Sequence, residues 1–291
     1  MINRATITGV LAGLFTVSLW GSLPVLRSLG ELPPMLVASV AMVCAAAMSA
    51  VLGAMRPSPE TAAMPRGRGY WLAGVGGLVG ALYFYFLALE GGDPARITLV
   101  TYTWPLGFVL ICDRLAGHGL RLRTLLGAAV AFVGLAPLLM ADAEGAATSA
   151  AAYAAGLASG VSWIAFSVFL RQHGGLSARG YQRLFLHAGV IALALHMTVE
   201  STPATTTTGD WLTAALIGIG PYGLAFIAWG YALRCGPASL LGVLTYLVPI
   251  IAAALLVVLG WSAPSGELLL AAAAVTTGAL LSQGAWPRRA R

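Results

Sequence analysis

Two copies of one short motif, Thr-Tyr-x-x-Pro, lie inside apolar stretches of the chain, at 101–105 and again at 245–249. Proline in a membrane helix removes a backbone donor and clashes with the carbonyl four residues earlier, so it persists where a kink or a cavity makes use of it. The Tyr in each motif adds a hydroxyl and an aromatic face at the same depth. These residue types can hold an organic solute by ring contacts and hydrogen bonds.

Other aromatic residues lie at similar depth. A buried Tyr hydroxyl or Trp indole needs a partner that the bilayer core does not supply, so it faces a cavity or a neighbouring helix. Trp20 and Trp163 lie 143 positions apart, and Tyr102 and Tyr246 lie 144 apart. A twofold axis would bring such pairs together, although helix packing remains the alternative for each residue. The predicted substrate-binding residues are Trp20, Tyr83, Tyr102, Trp104, Trp163 and Tyr246.

Charged groups are missing from the middle of every apolar stretch. This argues against a carboxylate proton relay or a carboxylate cation site. Cys44, Cys112 and Cys235 have no second Cys or His at metal-ligand spacing, so no metal is expected. His187 and His196 remain as candidates for proton transfer, and packing is the favoured interpretation of both. A neutral, aromatic site suits a zwitterionic or uncharged organic solute better than a metal ion or a multivalent anion.

Composition places the chain in a membrane. Of its 291 residues, 59% are hydrophobic and 9% are charged, whereas soluble domains carry roughly 25% charged residues. The Arg residues are scattered singly and form no basic face, so no nucleic-acid partner is expected. A spanning helix needs about 20 apolar residues. The predicted spans are 5–26, 33–55, 69–89, 94–112, 122–141, 151–170, 181–199, 211–233, 237–260 and 265–285.

The distribution of Arg predicts the orientation of these spans. All 16 basic residues are Arg, and if the N-terminus is cytoplasmic, only Arg27 and Arg96 lie outside. Cytoplasmic loops are enriched in basic residues. We therefore expect both termini in the cytoplasm, and because a missed helix would scramble the alternation, the asymmetry supports ten spans.

The chain reads as a tandem duplication. The offset of 144 also pairs Gly74 with Gly218 and Gly76 with Gly220. The predicted organisation is a first five-helix repeat at 1–141, a linker at 142–150 and a second repeat at 151–291 with a short C-terminal tail. Five is an odd number, so the second copy enters the membrane in the opposite direction. The predicted fold is an all-α membrane protein of ten transmembrane helices in two inverted repeats.

The segment 218–223, Gly-Ile-Gly-Pro-Tyr-Gly, is the strongest helix breaker within any span. It could unwind the helix and present backbone groups to a ligand, or it could allow close packing of two helices. Both interpretations remain open on the sequence. The predicted hinge residues are Pro105, Pro249, Gly220 and Pro221.

Several of these features resemble the drug/metabolite transporter superfamily, in its branch of ten-helix bacterial exporters. The segments Thr101-Tyr102-Thr103-Trp104-Pro105 and Thr245-Tyr246-Leu247-Val248-Pro249 are similar to those of the aromatic amino acid exporters in that branch, and Leu19-Trp20-Gly21-Ser22 also fits. The resemblance covers the whole chain. It implies a central cavity formed by both repeats, export of aromatic and other neutral amino acids, and no cofactor.

The sequence therefore predicts a multi-pass transporter of the bacterial inner membrane. We expect it to export neutral amino acids by exposing one central site alternately to each side, as a monomer within the lipid bilayer. One alternative is export of another small metabolite or drug. A second is a membrane-embedded enzyme acting on lipid, which would need a convergent polar or metal-binding cluster, and the lack of one at this depth argues against it.

Overall fold

The computed structural model describes residues 4–55, 65–117, 122–140, 148–261 and 263–283, and within these ranges the chain is helical and contains no strand. Most of the predicted linker and the C-terminal tail lie outside the described residues. The all-α class predicted from composition is confirmed.

Among the described residues, fourteen α-helices and two π-helical segments make up the ten spans. The first repeat contains α1 (Arg4–Gly21), α2 (Leu23–Arg27), α3 (Pro34–Met55), a π-helical segment (Tyr70–Val75), α4 (Gly76–Glu90), α5 (Pro94–Thr101), α6 (Trp104–Leu115) and α7 (Leu122–Met140). The second contains α8 (Ala150–Gln172), α9 (Ala178–Val199), α10 (Thr208–Ile217), a second π-helical segment (Gly218–Leu224), α11 (Ala225–Cys235), α12 (Ala238–Leu244), α13 (Leu247–Val258) and α14 (Gly266–Gln283).

All ten predicted spans are present, with boundaries that differ by no more than three residues from those predicted. Among the described residues, eight spans are long and apolar enough to cross a membrane as single helical units. The fourth span, which is divided into α5 and α6, is not among the eight, and the apolar part of the tenth, Gly266–Leu281, is shorter.

Contacts between the spans have the twofold symmetry that the repeat predicts. The second span packs on the seventh and the fifth on the tenth, so each pair joins equivalent helices of the two copies. The third packs on the sixth and the first on the eighth, and exchanging the copies converts one pair into the other. The inverted-repeat architecture is thereby confirmed.

Small residues allow the paired helices to approach closely. In the fifth and tenth spans, Gly134 lies against Ala274, and Gly278 lies against the backbone of Gly127. Backbone approach of this kind drives helix association in lipid, where apolar side chains gain little by leaving their surroundings. A methyl group at Gly278 would overlap the facing backbone, so the spacing of the two spans depends on glycine at this position.

The repeated motif interrupts the helix in both copies. Helix α5 ends at Thr101 and α6 begins at Trp104, while α12 ends at Leu244 and α13 begins at Leu247. The amide of Thr103 bonds to the carbonyl of Val100, three residues back, at 3.2 Å, and the Thr103 hydroxyl donates to the same oxygen at 2.7 Å. Polar groups freed by the break are thus satisfied locally. The two kinks predicted from the sequence are confirmed.

Polar contacts link neighbouring spans at one end of the bundle, which we call the Arg27 end and define by residues 28–33, 91–93 and 200–207. The Glu200 carboxylate accepts from the amide of Met35, at 2.9 Å, and so fastens the seventh span to the start of the second. His196 places Nδ1 2.8 Å from Glu200 Oε2 and Nε2 2.9 Å from Thr202 Oγ1. His196 is therefore part of a fastening at the span end, which agrees with its interpretation as a packing residue.

The opposite end, which we call the Arg234 end, is defined by residues 173–177 and 235–237. Among the described Arg residues, Arg27 and Arg96 lie at the Arg27 end and all others lie at or near the Arg234 end. The separation of charge along the bundle follows the alternation of spans. The side of the membrane that each end faces stays a prediction.

Labelling of single cysteines would test the orientation. In a chain whose three cysteines are replaced by Ala, we expect Thr205→Cys to react with a membrane-impermeant thiol reagent added to intact cells, because the basic residues favour a cytoplasmic Arg234 end. Ala116→Cys, exposed at the opposite end, is the matched control and should react only after the cells are opened. Labelling of Ala116→Cys alone would mean that the orientation is reversed.

Candidate functional site

A cavity of about 310 Å³ lies between the two repeats. It extends from the helix break in the middle of the fourth span to the Arg27 end, where Leu89 forms part of its wall. The surrounding side chains are mostly apolar and aromatic. They are Trp20, Leu23, Pro24, Arg27, Val37, Ala81, Leu82, Tyr85, Phe86, Leu89, Thr101, Tyr102, Trp104, Trp163, Ile217, Tyr222, Phe226, Thr245 and Val248.

Four pairs of repeat-equivalent positions contribute to this wall. At the offset of 143 the pair is Trp20 and Trp163, and at the offset of 144 the pairs are Leu82 with Phe226, Thr101 with Thr245, and Trp104 with Val248. Equivalent residues of inverted copies meet only near the twofold axis that relates them. The cavity therefore lies on the axis between the repeats, where transporters built from inverted repeats place their substrate.

Tryptophan rings form the inner part of the cavity. The centroids of Trp20 and Trp163 are 5.5 Å apart, and those of Trp104 and Trp163 are 6.2 Å apart in a stacked arrangement. The indole of Trp20 donates to the carbonyl of Pro221 at 3.0 Å. This bond fixes the ring and satisfies its one donor. The site thus presents rigid aromatic faces.

Below these rings, toward the Arg234 end, the bundle is closed by a fully buried residue, Trp229. Its ring lies 5.5 Å from Trp20, 6.4 Å from Trp104 and 6.4 Å from Phe108, and its indole donates to Ser167 Oγ at 3.2 Å. We refer to Trp229 and Phe108 as the floor of the cavity. Because Trp229 belongs to the eighth span and Phe108 to the fourth, their contact joins these two spans at the floor.

Four of the six predicted residues, Trp20, Tyr102, Trp104 and Trp163, lie around this one cavity. Tyr83 is not in its wall and packs beside Phe84, with ring centroids 5.5 Å apart. Tyr246 is fully buried and packs against Phe132, 6.1 Å away. In the ninth span, Thr245 and Val248 face the cavity in place of Tyr246. The assignment of all six to substrate binding stays a prediction.

Four aromatic residues of the wall were not among those predicted, namely Tyr85, Phe86, Tyr222 and Phe226. Tyr85 lies two residues after Tyr83, and its hydroxyl is 2.8 Å from Thr98 Oγ1. Two residues on a helix differ by roughly 200° about its axis, so one of these tyrosines faces the cavity and the other faces away. The sequence offered two Tyr in one apolar run and no signal that distinguished them.

The expectation of a neutral site is wrong in one respect, because Arg27 lies in the cavity wall. The distribution of Arg along the sequence identifies Arg27 only as a marker of orientation at the end of the first span. A signal was present in its spacing: Trp20, Leu23, Pro24 and Arg27 follow the i, i+3, i+4, i+7 pattern of one helix face. All four line the cavity.

The predicted hinge residues lie at helix irregularities. Pro105 and Pro249 lie beside the breaks in the fourth and ninth spans, and Gly220 and Pro221 lie within the second π-helical segment. Of the two interpretations of this segment, close packing is observed: a Cβ at Gly218 would overlap the backbone of Ala41. The segment also presents one carbonyl, that of Pro221, to Trp20. Its role as a hinge stays a prediction.

His187 lies away from the cavity, near the Arg234 end. Its Nδ1 is 2.8 Å from the Tyr70 hydroxyl, and its ring stacks on Trp71 with centroids 4.7 Å apart. The part of the chain that the structure describes has no group of three His, Cys, Asp or Glu arranged to hold a metal ion.

Ten apolar spans in two inverted copies around a central aromatic cavity define the class as a multi-pass membrane transporter. Comparison with known proteins gives the same class. Residues 7–140 and 148–283 each match the EamA-like transporter family, which is part of the drug/metabolite transporter superfamily. The chain belongs to this family, whose members are named as transporters rather than enzymes.

Two relatives match nearly the whole chain. The chain is 33% identical over 286 residues to the aromatic amino acid exporter YddG of Ancylobacter novellus, and the match covers 97% of this chain and 98% of that protein. A protein of known crystal structure is 32% identical, with a TM-score of 0.86 and coverage of 97% of this chain and 99% of the other. The superfamily resemblance noted from the motifs is confirmed.

The accessibility of the cavity can be tested with a matched pair of residues on α4. Phe86 is in the wall and Phe84 is not. In the cysteine-free background, Phe86→Cys should react with a water-soluble thiol reagent, because the cavity reaches the Arg27 end. Phe84→Cys should react far more slowly. Equal reaction of both cysteines would contradict a water-filled path to Phe86.

Proposed function

We propose that the protein exports neutral amino acids, above all aromatic ones, across the bacterial inner membrane. The observation that carries this proposal is the cluster of Trp20, Trp104 and Trp163 around a cavity on the axis between the repeats. Aromatic faces at these distances favour a planar apolar side chain, by offset or edge-to-face contact. The name of the relative from Ancylobacter novellus supports the same substrate class.

The substrate's ammonium group needs no carboxylate partner in this site. A cation over an aromatic face within about 6 Å is attracted by the ring quadrupole, and more strongly where water is excluded. The walls offer the faces of Trp and Tyr for this contact, together with the hydroxyls of Thr101 and Thr245. The second candidate is another small metabolite or drug, which the largely apolar walls would also accept.

Transport follows, in this proposal, from alternating access. In the described conformation the cavity reaches the Arg27 end, and Trp229 and Phe108 close it toward the Arg234 end. Opening toward the other side requires the eighth span to separate from the fourth, since the floor residues join these two spans. The Arg distribution predicts that the Arg27 end faces the periplasm, so this conformation would be the one that releases an exported solute.

The prolines at the helix breaks are proposed as the points at which the spans bend. Pro105→Ala would restore a backbone donor and straighten the fourth span. We expect this variant to change the rate of exchange severalfold with little change in substrate affinity, measured by transport kinetics in proteoliposomes. Pro137, which lies within α7 and outside the cavity wall, provides the control substitution Pro137→Ala. A loss of affinity alone would assign Pro105 to the binding site instead.

The aromatic wall gives a second test. Trp163→Ala removes a ring that faces both Trp20 and Trp104, and a single aromatic pair contributes roughly 0.5–1.5 kcal/mol beyond burial. We expect the affinity for L-phenylalanine to fall about tenfold once the lost apolar contact is included. The control variant Phe84→Ala, which changes an aromatic residue outside the wall, should bind the substrate nearly as tightly as the wild type. Equal losses in both variants would contradict the assignment of the cavity as the binding site.

The proposed function itself is tested by counterflow. Liposomes containing only the purified protein are loaded with unlabelled L-phenylalanine and supplied with a labelled panel of aromatic, aliphatic and acidic amino acids. Aromatic amino acids should exchange fastest. Exchange should need no pH difference across the membrane, because neither His187 nor His196 lies in the cavity wall. Exchange of an unrelated metabolite in the absence of any amino acid exchange would favour the second candidate.

A further inference from the structure

Arg27 is the one charged side chain among the described residues that form the cavity wall. It lies at the end of α2, at the mouth of the cavity, whereas Trp20 lies in α1 of the same span, in the inner part. The two are seven positions apart, which corresponds to about 10 Å at 1.5 Å per helical residue. The first span therefore presents a positive charge and an aromatic ring to opposite parts of one cavity.

The guanidinium is held in place by backbone carbonyls. Its Nη1 donates to the carbonyl of Gly30 at 2.7 Å and its Nη2 to that of Leu32 at 2.6 Å. A guanidinium carries five N–H donors and is always charged in proteins. Two bonds to neutral acceptors fix its position but leave donors and the full charge for another group. Arg27 is thus preorganised, which lowers the entropic cost of binding an anion.

Two acidic residues, Glu31 and Asp210, lie in or beside the loop at 28–33 that follows Arg27. Each is either exposed or bonded to other groups. Within the described part of the chain, no carboxylate forms an ion pair with Arg27. The Asp210 carboxylate accepts from the amide of Glu31 at 2.9 Å and from the amide of Thr207 at 2.8 Å, and it caps the start of α10. Glu31 is exposed. A half-buried cation without a protein counterion is suited to receive an anionic group of a ligand.

We propose that Arg27 binds the α-carboxylate of the transported amino acid at the mouth of the cavity, while the aromatic side chain lies toward Trp20 and Trp163. This rests on the proposed function and adds the chemical group by which the mouth selects its substrate. Hydrogen bonds from guanidinium to carboxylate are charge-assisted and are roughly twice as strong as neutral ones. The arrangement discriminates amino acids from amines and amides that have the same side chain.

The test compares ligands that differ only at the carboxyl end. Binding of L-phenylalanine and of L-phenylalaninamide is measured on the full-length protein in detergent by quenching of tryptophan fluorescence. The wild type should bind phenylalanine more tightly. In Arg27→Gln the affinity for phenylalanine should fall about tenfold or more, and that for phenylalaninamide should change less than about twofold. Arg27→Lys, which keeps the charge, should retain part of the preference. Arg96→Gln, at the same end but outside the wall, is the control.

Two outcomes of this test would overturn the proposal for Arg27, and a third would overturn the function on which it rests. Equal losses for both ligands in Arg27→Gln, with a lowered unfolding temperature, would show that Arg27 only supports the loop at 28–33. An unchanged affinity for phenylalanine would show that its carboxylate binds elsewhere. If the wild type binds neither ligand nor any other aromatic amino acid, the proposed function itself fails, and that result is distinct because it does not depend on the variant.

Discussion

A backbone carbonyl inside a bilayer must find a donor within the protein, and Pro105 and Pro249 each remove the donor that a regular helix would supply. The broken segments are tolerated because they lie between the repeats, where protein and cavity rather than lipid surround them. Thr101 Oγ1 donates to the carbonyl of Gly156 at 3.2 Å, and Thr245 Oγ1 to that of Gly242 at 2.7 Å. The need to bury these two breaks brings the fourth and ninth spans to the centre and so determines where a cavity can form.

The remaining packing follows from the pairing of equivalent helices around that centre. Small residues bring the second span against the seventh and the fifth against the tenth, so the two copies interlock rather than lie side by side. Polar fastenings such as Glu200 with Met35 lie at the Arg27 end, whereas the floor of Trp229 and Phe108 is closed by aromatic contact. Ring contacts can separate without leaving a buried charge unpaired. This difference suits a floor that opens during each transport cycle.

The features that sequence alone could predict are those encoded by composition and repetition. Apolar runs and single Arg residues predicted the spans, prolines predicted the breaks, and the repeat, at an offset of 143, placed Trp20 and Trp163 together. The remaining features depend on helix rotation and tertiary packing. Tyr83 and Tyr85 differ only in the direction they face, and Tyr246 turns away from the cavity although its equivalent, Tyr102, faces it. Trp229 lies in a uniformly apolar span, in which no periodic signal identifies a floor residue.

The central claim is that the mouth and the floor of one cavity open in alternation. Pulsed electron spin resonance can measure both openings in the protein in lipid, with one spin-label pair at Leu29 and Glu90 across the mouth and another at Ala116 and Arg234 across the fourth and eighth spans. On addition of L-phenylalanine, the two distances should change in opposite senses, so that states with a short mouth distance have a long floor distance. Lengthening of both distances together, or a floor distance that stays fixed while the protein exchanges substrate, would contradict alternating access at this cavity.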